Sequence, residues 1–352
     1  MGGNLHAQNP AYRLASLHSH PPGGWHRYAG PGAHNQFHSF MRKVIKWVLG
    51  LGVAALLAAT AFVVLAPETA LRGFIALERQ RAGLVRKQIE LPGGVQMVYL
   101  EGGQGEPLML LHGFGADKDN FTRVARFLTP HFHVVVPDQL GFGESGHPAQ
   151  ADYAPAAQAA RARALAQALG LTGLHLGGSS MGGQIALTYA AQHPTEVKSL
   201  WLLDTAGVHS APASELRKIL EAGGPNPLMA RTEDEFAQVF AFAMQDPPFI
   251  PRPLLNVMAR ERIRHVALEQ RIFSQIAADN SLEARIAGLP VPALIVWGER
   301  DRALHVGSTQ VLQALMPRSQ VIIMPAVGHL PMIERPRQSA DDYLRFRASL
   351  PP

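Results

Sequence analysis

The chain has 352 residues, no cysteine, 47% hydrophobic residues and a formal net charge of +5. This length can bury a large core without disulfides or a metal, and the lack of cysteine excludes a thiol nucleophile and a thiolate zinc site. The charge is uneven: residues 1–87 hold ten Lys/Arg against two acids, whereas residues 88–352 hold 22 against 25. Because the larger part is mildly acidic, we expect no nucleic-acid partner.

Residues 1–40 are rich in His, Gly, Pro and Asn and show no apolar periodicity. They are typical of a disordered tail, and their six histidines leave a metal-binding tract as the alternative. A more orderly pattern begins at Met41, which makes that residue a candidate for the true start.

Residues 41–66 are predicted to form a transmembrane anchor. The stretch from Trp47 to Ala66 carries no charge, and 20 residues at about 1.5 Å each can cross a hydrocarbon core of about 30 Å. A cleaved signal peptide with a site at Ala59-Thr60-Ala61 is the alternative, but the apolar run continues beyond that site. Basic residues before the span (Arg42, Lys43 and Lys46) place the N-terminus in the cytoplasm and the main domain outside it.

Residues 67–87 form a juxtamembrane helix or linker in this interpretation. Leu71, Phe74, Ile75 and Leu77 lie at helical spacing among charged residues. The pattern fits an amphipathic segment on the membrane surface and equally a solvated linker helix.

Short apolar runs alternate with helical patterns after residue 87. They predict an α/β fold with a mostly parallel eight-stranded sheet and helices on both faces, built from residues 88–208 and 287–352. The eight runs are Lys87–Leu91, Val95–Leu100, Pro107–His112, Phe132–Asp138, Leu171–Gly178, Ser199–Asp204, Pro292–Gly298 and Ser319–Pro325.

Residues 209–286 contain no convincing strand and are predicted to be a helical lid inserted over the C-terminal edge of the sheet. Apolar residues of this insertion either line an acyl pocket or form its own core: Phe240, Phe242, Met244, Phe249, Leu254, Leu255, Val257 and Met258. Its arginines, Arg260, Arg262, Arg264 and Arg271, fit a solvated helix face or a contact with anionic head groups.

A nucleophile is predicted at Ser180. Gly178-Ser179-Ser180-Met181-Gly182 fits the pattern G-x-S-x-G, follows an apolar strand and precedes a helical segment. That context indicates a tight turn that raises the Ser180 hydroxyl above the sheet. A serine hydroxyl needs a general base to react.

The base and its acid are predicted at His329 and Asp301, which follow the last strand and the strand before it. The chain order Ser180, Asp301, His329 is the order expected for a nucleophile elbow of this type. Asp204 and Glu299 are competing acids, and Asp204 follows the sixth strand.

The turn His112-Gly113-Phe114-Gly115 follows the third strand. It can present the backbone N–H of Phe114 which, with that of Met181, would form an oxyanion hole. We expect His112 to be a structural hydrogen-bonding residue, Asp138 to brace the adjacent loop and His175 to be a core histidine.

Together these motifs, with Asp138–Ser145 and Val327–His329, resemble the α/β-hydrolase superfamily over roughly residues 88–350. Within it, Leu110–Phe114, Ser179–Gln184 and Leu203–Val208 look closest to single-pass bacterial lipases and phospholipases A and to the abhydrolase-domain monoacylglycerol lipases of animals. The resemblance implies hydrolysis of carboxylic esters of glycerolipids without a metal or organic cofactor. The first 40 residues have no counterpart in it.

Other functions fit the same scaffold, because a fold does not determine its chemistry. An esterase of small soluble esters, a C–C bond hydrolase and a perhydrolase are the alternatives among enzymes, and a ligand receptor is the alternative outside them. The expected partners are a lipid or small ester and a membrane. The sequence leaves open whether the protein is a homodimer.

Overall fold

The computed structural model describes residues 31–351, and its first element is helix α1, Pro31–Leu65. Residues 31–40 therefore begin a helix rather than belonging to the predicted tail, and Pro31 suits the first helical position. The rest of that tail lies outside the described residues. Within α1, His38–Leu65 is long and apolar enough to cross a membrane, and none of its most apolar window is buried. One apolar N-terminal helix is what a membrane anchor requires.

The unit from Thr60 onward contains an eight-stranded sheet. Its strands are β1 Leu84–Leu91, β2 Val95–Gly102, β3 Glu106–Leu111, β4 Phe132–Pro137, β5 Leu174–Ser179, β6 Val197–Leu203, β7 Ala293–Gly298 and β8 Ser319–Met324. The order is β1-β2-β4-β3-β5-β6-β7-β8. Strand β2 is antiparallel to both of its neighbours, β1 and β4, and all the other pairs are parallel. The predicted α/β sheet is confirmed.

Twelve further α-helices accompany the sheet in the described residues. They are α2 Pro67–Arg81, α3 Thr122–Ala125, α4 Pro155–Ala168, α5 Met181–Gln192, α6 Glu215–Glu221, α7 Glu233–Ala243, α8 Arg252–Arg264, α9 Val266–Ala277, α10 Leu282–Ile286, α11 Ser308–Leu315, α12 Pro331–Glu334 and α13 Pro336–Ala348. A short 3-10 helix, Lys118–Phe121, precedes α3.

The sheet begins earlier than predicted. β1 starts at Leu84, four residues before the expected core boundary at residue 88, because Leu84 is already buried. Gly83 has a φ of +64°, which lets the chain turn directly from α2 into the strand. On α2, Phe74 and Leu77 are exposed, whereas Ala70 is buried.

Two hydrophobic cores lie on opposite faces of the sheet, because alternate residues of a strand point to opposite sides. In β3, Met109 and Leu111 belong to one core, and Leu108 and Leu110 belong to the other. The first core includes residues of α4, α5, α10 and α11, and the second includes residues of α3, α12 and α13. Both faces of the parallel sheet are therefore covered, which places functional loops at its C-terminal edge.

The insertion over residues 209–286 contains helices α6 to α10 and no strand. Its own core consists of Ala230, Phe236, Val239 and Ala259, against which Phe240, Leu255 and Met258 pack. These three residues therefore belong to the core of the insertion, which was the alternative to lining an acyl pocket. Phe249 behaves differently, because its side chain is 91% exposed.

Candidate active site

Ser180 lies in a strained turn between β5 and α5. Its φ is +54° and its ψ is −118°, a backbone conformation that costs free energy in a residue other than glycine. The turn is tight, since a Cβ at Gly178 would lie 2.2 Å from the carbonyl oxygen of Gly182. The Ser180 N–H donates to the carbonyl of Leu203, 2.9 Å away. The predicted strand, turn and helix are all present around Ser180.

Asp301 and His329 meet at the ends of β7 and β8. His329 Nδ1 lies 2.8 Å from Asp301 Oδ2, and both side chains are at most 5% exposed. Asp301 Oδ1 accepts the backbone N–H groups of Ala303 and Leu304 at 2.8 and 3.0 Å. These bonds fix the carboxylate, and the bond at Nδ1 leaves Nε2 as the ring nitrogen available to a partner.

The two competing acids differ in position. Glu299 is half exposed and pairs with Arg300, so it does not take part in this arrangement. Asp204 is fully buried and belongs to it, because one ligand atom each of Asp204, Asp301 and His329 lies within 4.8 Å of the others. One nitrogen and two carboxyl oxygens could hold a cation, but the 2.8 Å bond between His329 and Asp301 already uses two of these atoms.

The loop after β3 lies against the serine. A Cβ at Gly113 would lie 3.2 Å from Ser180 Cβ and 3.9 Å from its Oγ. The Ala116 N–H donates to the carbonyl of Gly113 at 3.3 Å, so Phe114 occupies the second position of a turn that does not use its N–H. Met181, the first residue of α5, has no intrahelical acceptor for its N–H. Two N–H groups thus remain near the hydroxyl.

Arg262 of α8 contacts this same loop, which the sequence did not indicate. A Cβ at Gly115 would lie 1.8 Å from its Nη2, and its guanidinium lies 5.8 Å from the Phe114 ring centroid. Arg262 also pairs with the buried Glu269 at 3.0 Å and donates to the carbonyl of Leu228 at 2.6 Å. The prediction of a solvated face is therefore wrong for Arg262, because the loop and these acceptors enclose its side chain.

A second group of charged residues lies beside the loop that follows β3. We call it the ion-pair cluster, and it consists of Lys118, Asp138, Glu144, Arg79 and Asp119. Lys118 Nζ lies 2.7 Å from Asp138 Oδ2 and 2.8 Å from Glu144 Oε1, although Lys118 is only 1% exposed. Burial is the largest single influence and opposes its charge, but Asp138, Asp117 and Glu144 together raise the pKa of Lys118. Burial likewise opposes ionisation of Glu144, but Lys118 and then Arg86 lower the pKa of Glu144 to about 2.

Arg79 connects helix α2 to this cluster. Its Nε and Nη2 donate to the two carboxylate oxygens of Asp119 at 2.7 and 2.6 Å, which is a bidentate pair. Arg81, two residues further on, pairs only with Glu78 on its own helix at 2.9 Å among the described residues. Helix α2 is thus tied to the 3-10 helix that follows the Phe114 turn.

The structural roles predicted for three polar residues are confirmed. His112 Nε2 accepts the Gln139 N–H at 3.0 Å, and burial lowers the pKa of His112 to about 4. Asp138 accepts the N–H groups of Lys118 and Glu144 at 2.8 and 2.7 Å and so braces the loop. His175 is buried beside Ser199 Oγ at 2.8 Å.

The chain has relatives among named proteins and solved structures. A family profile described as the α/β-hydrolase fold matches residues 106–247. Lipase 1 of Psychrobacter immobilis is 44% identical over 283 residues, which are 78% of this chain and 88% of the lipase. Monoacylglycerol lipase abhd6-B of Xenopus laevis is 32% identical over 259 residues, which are 70% of this chain and 77% of that protein.

A crystal structure described as a membrane phospholipase A and bacterial virulence factor is 41% identical to this chain. It superposes with a TM-score of 0.78 and covers 86% of this chain and 98% of its own. The chain therefore belongs to the α/β-hydrolase family. Its similarity to named lipases and monoacylglycerol lipases confirms the predicted class, a serine ester hydrolase.

Proposed function

We propose that this protein hydrolyses carboxylic esters of glycerolipids, with Ser180 as nucleophile, His329 as general base and Asp301 as the acid that orients it. The observation that carries the proposal is the buried 2.8 Å bond between His329 Nδ1 and Asp301 Oδ2, at the same sheet edge as the Ser180 turn. The similarity to named lipases and to a phospholipase A supports the lipid substrate.

The reaction uses the protein's own groups. Ser180 Oγ attacks the acyl carbonyl carbon while His329 Nε2 takes its proton, and Asp301 stabilises the imidazolium that forms. The ester C–O bond then breaks, and the alcohol leaves with the proton from His329. Water attacks the acyl-serine in the second half, passes its proton to His329, and the fatty acid leaves as Ser180 is reprotonated.

The backbone N–H groups of Phe114 and Met181 form the oxyanion hole in this proposal. The contact of Gly113 with Ser180 supports it, because it brings the Phe114 turn beside the nucleophile. Removing one such donor typically lowers the rate about 10²- to 10³-fold. The helical insertion over 209–286 would act as the lid above the acyl pocket.

The apolar helix His38–Leu65 would anchor the enzyme and raise the local concentration of its lipid substrate. Arg42, Lys43 and Lys46 favour a cytoplasmic N-terminus and an extracytoplasmic catalytic domain. Because the chain has no cysteine, single cysteines report the orientation cleanly. A membrane-impermeant maleimide should label Asp234→Cys in spheroplasts and Asn4→Cys only after lysis; the reverse pattern would contradict the orientation.

The substrate class is tested with the purified full-length protein in detergent. We expect fatty-acid release from monoacylglycerols or lysophospholipids and none from Ser180→Ala. Hydrolysis of p-nitrophenyl butyrate without any release from glycerolipids would instead support the alternative of a soluble-ester esterase.

A further inference from the structure

Asp204 is a fully buried carboxyl beside the proposed acid and base. It follows β6 directly and has a φ of +44°, which few residues other than glycine, asparagine and aspartate adopt. Its N–H donates to the carbonyl of Val296 at 3.0 Å, which fixes it at the end of the sheet. Strain of this kind persists where the surrounding structure over-determines it, often at functional sites.

Three carboxyl groups occupy this region, and they differ in the number of N–H donors that stabilise a negative charge. Asp301 accepts three such bonds and Glu334 also accepts three, whereas Asp204 accepts one, from Gly298 at 2.9 Å. Asp204 Oδ2 accepts no hydrogen bond from the described residues. Because donors to a carboxylate favour its ionised form, Asp204 is the carboxyl least able to carry a charge.

Asp204 also faces two other acids. Burial is the largest cause that raises the pKa of Asp204 well above its usual range, and the neighbouring Asp301 raises it further. Glu334 acts in the same direction, while the Gly298 N–H opposes it. Two carboxyl groups this close in a buried place cannot both ionise readily, so one of them holds a proton.

We propose that Asp204 is a positioning residue that stays neutral and donates an O–H hydrogen bond to the Asp301 carboxylate. The proton would sit on Oδ2 of Asp204, which has no partner among the described residues, and one carboxyl oxygen of Asp204 lies within 4.8 Å of one of Asp301. This bond would help to hold the Asp301 carboxylate in the orientation in which its Oδ2 accepts from the imidazole of His329. The inference rests on the roles proposed for Asp301 and His329.

Infrared difference spectra test the protonation state without using activity. The wild-type protein at pH 8 should show the carbonyl band of a protonated carboxyl, and Asp204→Asn should lose it. Glu299→Gln is the matched control, since it removes an exposed carboxylate and should leave that band in place. Absence of the band in the wild type would overturn the inference while leaving the proposed ester hydrolysis intact.

The pH profile of kcat/KM gives a second readout. Asp204→Asn keeps an N–H donor to Asp301. The fall of kcat/KM at low pH, the acid limb of the profile, should therefore coincide for this variant and the wild type, and kcat should change less than about threefold. If Asp204 were ionised, removing its charge this close to the imidazole would move the limb about 1–3 pH units lower, which would contradict the inference.

Asp204→Ala removes the donor altogether. We expect its kcat to fall about 10- to 100-fold with an unchanged KM, the range for losing a hydrogen bond to a charged group. A kcat equal to that of Asp204→Asn would overturn the positioning role. If Asp204→Ala does not fold, the infrared band and the Asp204→Asn profile still decide the question.

Discussion

Two groups of charged residues lie at the C-terminal edge of the sheet, and their buried charges are stabilised in different ways. In the ion-pair cluster, the buried Lys118 meets two carboxylates of opposite charge at 2.7 and 2.8 Å. Around His329, by contrast, Asp301 accepts from the imidazole and from two backbone N–H groups, and Asp204 accepts from one backbone N–H group. A buried cation stabilises the carboxylates of the ion-pair cluster, whereas the proposed proton on Asp204 avoids a second negative charge beside Asp301.

The largest expected effect concerns Asp301, in the group of residues around His329. Asp301→Asn should lower kcat about 10⁴-fold, because the imidazole loses the carboxylate that sets its tautomer and stabilises its charged form. The variant should still fold, since the isosteric amide has the same shape as the carboxyl group. Ester hydrolysis and denaturant unfolding measure the two quantities. A kcat within tenfold of the wild type would assign the acid elsewhere.

A substitution in the ion-pair cluster should instead lower the free energy of unfolding. Lys118→Met leaves the carboxylate of Asp138 buried without its cation, which typically costs about 3–5 kcal/mol. Lys87→Met is the matched control, because Lys87 forms a half-exposed pair with Glu101 and should cost at most about 1 kcal/mol. Urea unfolding compares them, and equal losses would remove the distinction between the buried and exposed pairs.

The buried histidines should make the free energy of unfolding depend on pH. Burial lowers the pKa of both His112 and His175 to about 4, so the folded state holds them neutral while the unfolded chain binds protons below about pH 6.5. The contribution of these two histidines to the free energy of unfolding should be largest above pH 6.5 and should fall by a few kcal/mol towards pH 4. Burial raises the pKa of Asp117 to about 6, and the pKa of Asp204 is raised well above its usual range, so these two carboxyl groups contribute in the opposite direction. Glu106 and Glu144, with pKa values of about 2, do not titrate in this window.

The measurement is urea unfolding at several pH values between 7.5 and 4.5. As the pH falls from 7.5 to 4.5, His175→Gln should lose less stability than the wild type does. A slope that His175→Gln leaves unchanged would show that His175 does not contribute to it.

The smallest expected effect concerns the attachment of helix α2 to the 3-10 helix that contains Asp119. Arg79→Gln breaks the bidentate pair with Asp119, for which we expect a loss of about 1 kcal/mol in a partly buried setting. Arg81→Gln, two residues away, breaks only an exposed pair within α2 and should cost almost nothing. Thermal unfolding of both variants measures this, and an equal shift would mean that α2 is not tied to the loop through Arg79.

The elements around the proposed site were predictable because the sheet is parallel. The residues that follow β7 and β8 must meet at one edge, so Asp301 and His329 were placed together from their positions after apolar runs. The strand–turn–helix around Ser180 was predictable for a similar reason, since the glycines on either side have no space for a Cβ.

Lys118 and Arg262 could not be found in this way. A lysine or arginine is expected at the surface, and nothing local in the sequence indicates that Lys118 is 1% exposed. Its partners Asp138 and Glu144 come from a loop about 20 residues further on, and Arg262 reaches Gly115 from the insertion. Such contacts depend on tertiary packing between distant segments, as does the burial of Leu84 that moves the start of the sheet.

The most direct test of the account is to identify the acylated residue. The full-length enzyme is incubated with a fluorophosphonate, or with a fatty-acyl ester and quenched in acid, and the modified peptide is mapped by mass spectrometry. We expect one adduct, on Ser180, and none in Ser180→Ala, which should also release no fatty acid. An adduct on another residue, or persisting hydrolysis by Ser180→Ala, would contradict it.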